Sequence, residues 1–344
     1  MKNDNGPSSI RVLISETYDP WFNLATEDWI FNDMDPLTHI LFLWRNQNTV
    51  VIGRFQNPWT ECRVSKMEED GINLARRQSG GGAVFQDLGN TNFTFLSGKN
   101  TFSKERNNFM ITEAIKKFGI DSYASGRNDI MIDDIEGPKK ISGSAFKEKR
   151  DRSFHHGTLL INTDLNKLEN YLSPSRKKLT SKGIKSVRSR VTNLNVQNSE
   201  ISHELLIESI IEQFQKAYGS NCDIEILNND SLRKIEPLRN YYNRLKDWNW
   251  RFGETPKFNH HLNHKFDWGE IDAHIDSHKG LMTKVTIFSD SLHPDLIEEI
   301  IEVFPGNEYT EKGIERAISE LLINLPFYQV ELNEFRTWLI SEIA

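Results

Sequence analysis

What this chain lacks excludes several kinds of protein at once. Its 344 residues include only two cysteines, Cys62 and Cys222, too few for a disulfide framework and without the paired spacing of a zinc site, as expected in a reducing compartment. No stretch approaches the roughly 20 apolar residues of a membrane span, and the opening MKNDNGPSS has no apolar core of a secretory signal. A cytoplasmic protein is expected, with a loose tail over residues 1–9 and no membrane partner. An excess of positive charge is also missing: the formal net charge is −7, which argues against a broad nucleic-acid-binding surface. There is no internal repeat and no low-complexity segment. Both familiar nucleotide loops are absent as well, because the triple glycine at 80–82 is followed by no Gly-Lys-Ser/Thr and has no G-x-G-x-x-G order.

What is present is an ordinary globular composition, 37% hydrophobic and 26% charged, in a chain long enough for two domains. The patterning predicts an α+β fold. Strands are expected at Ile10–Ser15, 72–77, 90–96, 129–132, 139–146 and 155–162, and a hairpin at 39–55 turning on Asn46-Gln47-Asn48. Helices are expected from Asp19-Pro20 to about Phe31, over 58–70, over 102–118 with Gly119 as the stop, and over 205–218. The pattern changes near Asp247, where Trp248, Trp250, Gly253 and Pro256 mark a junction over 247–256. This predicts a large domain over 1–246, with mixed or antiparallel sheets flanked by helices, and a small α+β domain over 257–344. In the latter, a hairpin across His278-Lys279-Gly280 precedes three helices.

The stretch RRQSGGGAVFQDLGN at 76–90 carries the clearest chemistry. Gly80, Gly81 and Gly82 lack the Cβ atoms that would hold a phosphate away and permit positive φ angles. Their amides can converge on an anion, while Arg76 and Arg77 add planar guanidinium forks suited to phosphate oxygens. Read alone, the run serves equally well as a tight turn. Further on, Lys140 enters a strand that continues in small residues, Ser142-Gly143-Ser144-Ala145, leaving room for a ligand. If Lys140 faces the glycine loop, its ammonium bridges a carboxylate and an α-phosphate and stabilises charge as the carboxylate attacks phosphorus. Lys139 beside it is expected to be solvated. Asn128 and Asp129 offer an amide and a carboxylate near a nucleotide-bound Mg²⁺, a hard ion that takes one or two carboxylates plus phosphate oxygens. The basic run over 176–190 is expected to be a mobile lid. His260, His261 and His264 contain an i, i+4 pair, yet their flanks look loop-like and no acidic or cysteine partner completes a metal site.

Together these pieces resemble the lipoate-protein ligase family, within the wider group that includes biotin-protein ligases and octanoyltransferases. The likeness covers nearly the whole chain and rests on motifs in order: TYDPWFNLA at 17–25, LFLWRN at 41–46, VVIGRFQNPW at 50–59, the glycine loop at 76–90, ASGRND at 124–129, KISGSA at 140–145, HHGTLL at 155–160 and SVRSRVTNL at 186–194. The resemblance implies that the large domain is catalytic and the small one accessory. It also implies a two-step reaction in which lipoate and MgATP give lipoyl-adenylate and pyrophosphate, and the lipoyl group then passes to a lysine of an apo lipoyl domain. Such domains occur in 2-oxoacid dehydrogenase E2 subunits and the glycine cleavage H protein. ATP, Mg²⁺ and lipoate are the implied ligands, without a tightly bound prosthetic group, and a monomer is expected. Carried over by position, Arg77, Gly82, Ala83, Val84, Phe85 and Lys140 would contact ATP. Lys140 would be the catalytic residue and would also touch the lipoate carboxylate. Trp44 and His156 would lie along lipoate, Ser79, Asn90 and Asn128 would be supporting polar contacts, and Asp129 would hold the metal. Trp44 also reads as core packing and His156 as a structural histidine.

Three other readings stand beside this one. An octanoyl or lipoyl transferase of related fold would need a cysteine nucleophile beside a basic group, and neither cysteine falls within a motif. A non-catalytic scaffold binding lipoyl domains would have no use for Arg77, Lys140 and Asp129 together. A biotin ligase would carry a Gly-Arg-Gly-Arg loop where this chain has Gln78-Ser79-Gly80-Gly81-Gly82.

Overall fold

The computed structural model describes residues 9–126, 128–172, 190–219, 222–253, 258–291 and 293–343. Outside them lie the tail before Ser9, Arg127, all of the expected basic lid except Arg190, the 254–256 part of the expected junction and residue 257. No helix among the described residues is long and apolar enough to cross a membrane. The fold is α+β, and the chain divides into two units.

The first unit takes the chain up to Arg54 and then Asn73–Lys246. Its main sheet contains β1 (Ile10–Ser15), β2 (His39–Trp44), β6 (Asn90–Gly98), β7 (Ser122–Ser125), β8 (Asp129–Ile132), β9 (Lys139–Glu148), β10 (Arg152–Leu160) and β11 (Ile224–Leu227). Their order is β11-β1-β2-β6-β10-β9-β8-β7. The sheet is mixed: β1 runs parallel to β2 and β11, and the remaining pairs are antiparallel. A second sheet of three strands, in the order β4-β3-β5, holds β3 (Thr49–Ile52), β4 (Asn73–Arg76) and β5 (Val84–Gln86).

The expected hairpin over 39–55 does not form, since β2 and β3 lie in different sheets. Both strands are buried along their whole length. A polar turn between two β-rich runs signals a hairpin only when the runs pair. Here Asn46 is itself buried, donating its amide to Gln86 Oε1 at 2.8 Å, so the turn sends the chain into the second sheet.

Helix α1 (Pro20–Asp33) starts where Asp19 accepts from the amides of Trp21 and Phe22 at 2.8 and 3.2 Å, with Pro20 at the first helical position. Helices α4 (Lys104–Lys116) and α5 (His203–Tyr218) start on Ser103 and Ser202, and α5 stops on Gly219 with φ 66°. Both pack on one face of the main sheet.

Because side chains alternate along a strand, the two faces of the main sheet carry different tasks. Leu41, Leu43, Phe93 and Phe95 join Met110, Ile111, Leu206, Ile210 and Phe214 in a single core. Phe42, Trp44, Thr94, Phe154 and His156 point to the other face, where Phe31 of α1 meets Phe154 edge-on at 5.0 Å. The adjacent histidines of β10 therefore have opposite fates. His155 is buried among Phe93, Phe95 and Phe146, stacked on the last at 4.4 Å, and burial pushes its pKa down to about 3. Between pH 6.5 and 3 the unfolded chain then binds a proton that the folded chain refuses, so stability rises with pH across this window and is lost as pH falls through it. His155→Phe should flatten that slope. Thermal melts at pH 4 and pH 7.5 check it, and an unchanged difference between the two pH values would show that His155 plays no part.

The second unit comprises Phe55–Ile72 and the chain from Asp247; the sequence reading assigns the first of these segments to the large domain. That segment carries α2 (Pro58–Glu61) and α3 (Val64–Glu69). Trp59 lies 5.6 Å from the ring of Phe252 and 6.1 Å from that of Tyr309, aromatic contacts that sequence distance conceals. A three-stranded antiparallel sheet contains β12 (Phe258–Phe266), β13 (Gly269–His278) and β14 (Leu281–Ser289), followed by α6 (Pro294–Val303), α7 (Glu311–Asn324) and α8 (Gln329–Ile343). The turn between β13 and β14 has positive φ at Lys279 and Gly280, as a tight hairpin requires. Strand β12 was not foreseen, because its polar, histidine-rich sequence resembles a loop.

Candidate active site

The glycine loop joins β4 to β5 beside the main sheet. Its shape is set from inside by Arg77, which is buried. The guanidinium donates to the carbonyls of Gly80 and Gly82, both at 2.8 Å, to Val51 O at 3.1 Å and to Ser79 Oγ at 3.0 Å. Burial lowers its pKa to about 10, which leaves it charged at neutral pH. Gly81 adopts φ 97°, a conformation a side chain would strain. On the other side, a Cβ on Gly53 would stand 2.4 Å from Gly81 O, so the bare backbone of Gly53 admits the loop.

Two cavities meet at this loop. The larger, about 580 Å³, is lined by Ala83, Val84, Phe85, Asp129, Lys139 and Lys140 among others. The smaller, about 240 Å³, includes Leu24, Trp44, Val51, Gly82, Ala145 and His156. Ala83, Val84, Lys140, Gly143 and Thr158 belong to both, so Lys140 stands on the shared wall. Its Nζ lies 2.7 Å from Asp129 Oδ1. A slip in register between β8 and β9 pairs Ile130 with Ser142 and Met131 with Lys140, leaving Ile141 over. Such bulges re-aim side chains beside active sites. Gly143 keeps space open, since a Cβ there would stand 2.9 Å from Lys140 Nζ.

A hydrogen-bonded relay runs beneath the smaller cavity. His156 places Nδ1 2.9 Å from Glu27 Oε1 and Nε2 2.8 Å from Ser79 Oγ. A carboxylate only accepts, so Nδ1 carries the proton, and in the neutral ring Nε2 accepts from the serine hydroxyl. Glu27 also accepts from Thr94 Oγ1 at 2.5 Å, and Thr94 Oγ1 accepts from Trp44 Nε1 at 3.2 Å. The indole and the glycine loop are thus tied through one buried carboxylate. A second buried network joins amides: Asn46 donates to Gln86, and Gln86 and Asn90 both donate to Asn92 Oδ1 at 2.8 and 3.0 Å.

Ten of the sequence-predicted residues line one or both cavities: Trp44, Arg77, Gly82, Ala83, Val84, Phe85, Asn128, Asp129, Lys140 and His156. Ser79 and Asn90 are buried behind the walls, in the relay and the amide network. Asn128 is pinned by donating to Ser144 O at 3.0 Å. Lys139 is not the solvated residue expected. Its side chain is 13% exposed and lies 2.9 Å from Glu136. Sequence reading missed Glu27, Gly53, Gln86, Asn92, Thr94 and Thr158. Glu27 left one signal, a carboxylate within the apolar helix that follows Asp19-Pro20.

Residues 19–215 match the family model described as the lipoyl protein ligase A/B catalytic domain. The chain belongs to the lipoate-protein ligase family. Residues 255–339 of the ligase match a further model, the bacterial lipoate protein ligase C-terminus. A lipoate-protein ligase A from Psychrobacter cryohalolentis is 50% identical over 339 residues, 97% of this chain and 99% of that protein. Among solved structures, Plasmodium falciparum LipL1 in complex with lipoate is 34% identical with a TM-score of 0.64, covering 97% of this chain and all of that one. A bipartite lipoate protein ligase with its E2 lipoyl domain, from Thermoplasma acidophilum, is 25% identical with a TM-score of 0.63, over 73% of this chain and 98% of that one. Neither Cys62 nor Cys222 of the ligase lines either cavity, and burial raises the Cys222 thiol above its ordinary pKa, which suits neither to thioester chemistry.

Proposed function

We propose that the ligase activates lipoate with ATP and transfers the lipoyl group to a lysine of an apo lipoyl domain. The observation that carries this reading is Lys140 on the wall common to both cavities. The larger cavity, beside the glycine loop and Asp129, takes the nucleotide. The smaller one, with Trp44, Leu24, Val51 and Ala145, takes the apolar acyl chain. A carboxylate oxygen of lipoate attacks the α-phosphorus, the bond to pyrophosphate breaks, and lipoyl-adenylate forms. Lys140 Nζ neutralises charge on the carboxylate and α-phosphate as the two approach, and Asp129 holds the ammonium in place until they arrive. In the second step the target amine attacks the acyl carbon, AMP leaves with the bonding electrons, and the nitrogen loses a proton.

Mg²⁺ enters with ATP as part of the substrate. Asp129 is one carboxylate on the larger cavity, a donor set that suits a hard ion keeping phosphate oxygens as its other ligands. Arg77 acts from beneath, turning the Gly80 and Gly82 carbonyls inward so that the opposite side of the loop meets the phosphates. Ser79, His156 and Glu27 hold that loop against Trp44. We assign the first unit the chemistry and the C-terminal residues 257–344 an accessory role. E2 lipoyl domains and the H protein are the proposed acceptors of a monomeric cytoplasmic enzyme.

The test is incubation with ATP, Mg²⁺, an apo lipoyl domain and either lipoic or octanoic acid, followed by intact-protein mass measurement. A gain of one acyl group that requires ATP is expected. No gain, with no acid-dependent exchange of pyrophosphate into ATP, overturns the proposal, and ATP-independent transfer from an acylated donor would make the protein a transferase.

Trp44→Val should open the end of the smaller cavity. Preference should shift toward bulkier acids by about tenfold or more, the scale on which apolar pockets discriminate. Competition between lipoic acid and a branched or aromatic analogue measures it. An unchanged profile in a folded variant would make Trp44 a packing residue only.

A further inference from the structure

Outside the site already described, the sheet of the second unit brings together three side chains that are metal ligands by type. His261 on β12 lies directly opposite His274 on β13, and Asp272 precedes His274 by two residues, so all three project from the same face. That face is the more open one: on β13, Ile271, Ala273 and Ile275 are buried while Asp272 and His274 are half-exposed. Asp272 Oδ1 lies 2.6 Å from His261 Nε2 and 3.1 Å from His274 Nε2, and the two rings stack with centroids 4.2 Å apart. One possible ligand atom from each residue falls within 4.8 Å of the other two.

We propose that His261, Asp272 and His274 bind a divalent transition-metal ion of the zinc class, with water completing its shell. Two imidazoles and one carboxylate form the ligand set of open three-residue zinc sites. Bonds of about 2.0–2.1 Å in a tetrahedron put ligand atoms about 3.3 Å apart, so the Asp272–His274 separation already nearly fits and Asp272 and His261 need to part by well under about 1 Å. Half-exposed side chains on a sheet surface can make that adjustment. Neighbours on the same face already have partners: Asn259 donates to Asp276 at 2.7 Å and Asn263 to Glu270 at 3.0 Å. The remaining histidines of β12 point away, His260 hydrogen-bonding Tyr309 and His264 stacking on Trp338. The i, i+4 spacing in the sequence therefore marks the wrong pair, and the carboxylate comes from the next strand. Because the ligands span β12 and β13, the ion would clamp the two strands and stabilise the folded state by mass action.

The test uses the full chain without ATP or Mg²⁺, titrated with Zn²⁺ under calorimetry and followed by metal analysis after dialysis. One bound ion per chain is expected, together with a rise in melting temperature on adding Zn²⁺. Asp272→Asn, which keeps the fold's hydrogen-bonding shape, and His274→Ala should each weaken binding by at least about tenfold, the loss caused by removing even an outer-sphere partner. His278→Ala, in the nearby turn, should bind as the parent does. The proposal is overturned if no stoichiometric ion is retained, or if Asp272→Asn and His274→Ala bind as tightly as the parent, since the ion then sits elsewhere. Lipoyl-transfer activity measured with each variant should stay at the parent level, because none of these residues belongs to the catalytic cavities.

Discussion

Lys140→Met loses adenylate formation while the protein remains folded. Among the described residues, Lys140 is the cationic side chain that lines both cavities, where its ammonium can meet both a carboxylate and an α-phosphate. Removing one preorganised electrostatic contact of this kind slows a reaction on the order of 100–1,000-fold. Stability should hardly change, because Lys140 and Asp129 are about one-third exposed, and such ion pairs contribute at most about 1 kcal/mol. Lipoate-dependent pyrophosphate release measures the first step, and supplying preformed lipoyl-adenylate isolates the second. If the variant transfers from preformed adenylate but cannot make it, Lys140 acts in activation. Pyrophosphate release at the parent rate would remove Lys140 from the mechanism. Lys139→Met should have the smaller effect, although Lys139 also lines the larger cavity, because its partner Glu136 holds it on the outer wall.

Gly53→Ala should be nearly as damaging, although Gly53 lies more than twenty residues before the glycine loop. Its new Cβ would stand 2.4 Å from Gly81 O and 3.3 Å from Gly80 C. Both are backbone atoms of a loop that Arg77 holds by the carbonyls of Gly80 and Gly82, and they cannot swing aside as a side-chain tip would. The loop must shift, and a misplacement of about 1 Å costs about 100-fold in rate. By contrast, a Cβ on Gly80 meets nothing within 4 Å, and Gly80 is not among the glycines with positive φ. Gly80→Ala should therefore show the smaller loss, even though Gly80 belongs to the conspicuous motif. Steady-state kinetics with varied ATP compare the two, alongside thermal melts. A larger loss for Gly80→Ala than for Gly53→Ala would refute this account of how the loop is held.

The sequence by itself determined the α+β class, the caps of the main helices of the first unit, and ten of the residues on the cavity walls. The reason is local. A capping aspartate or serine, a glycine at a helix stop, a run of glycines and a lysine before small residues impose their conformations within a few residues of themselves. The motif order then supplied the chemistry, and the residues it named fall mostly on two adjoining cavities. The tertiary structure alone decided which of two neighbouring histidines enters the core, because strand alternation says that His155 and His156 face opposite ways but not which way. It also decided that β2 and β3 belong to different sheets, that Phe55–Ile72 packs with the second unit, and that Glu27, Thr94 and Gly53 serve the site. The same holds for Asp272 joining His261 and His274. Each of these outcomes depends on a contact between residues distant in the chain, and such a contact is set by packing and by the need of buried polar groups for partners, neither of which leaves a local signature in the sequence.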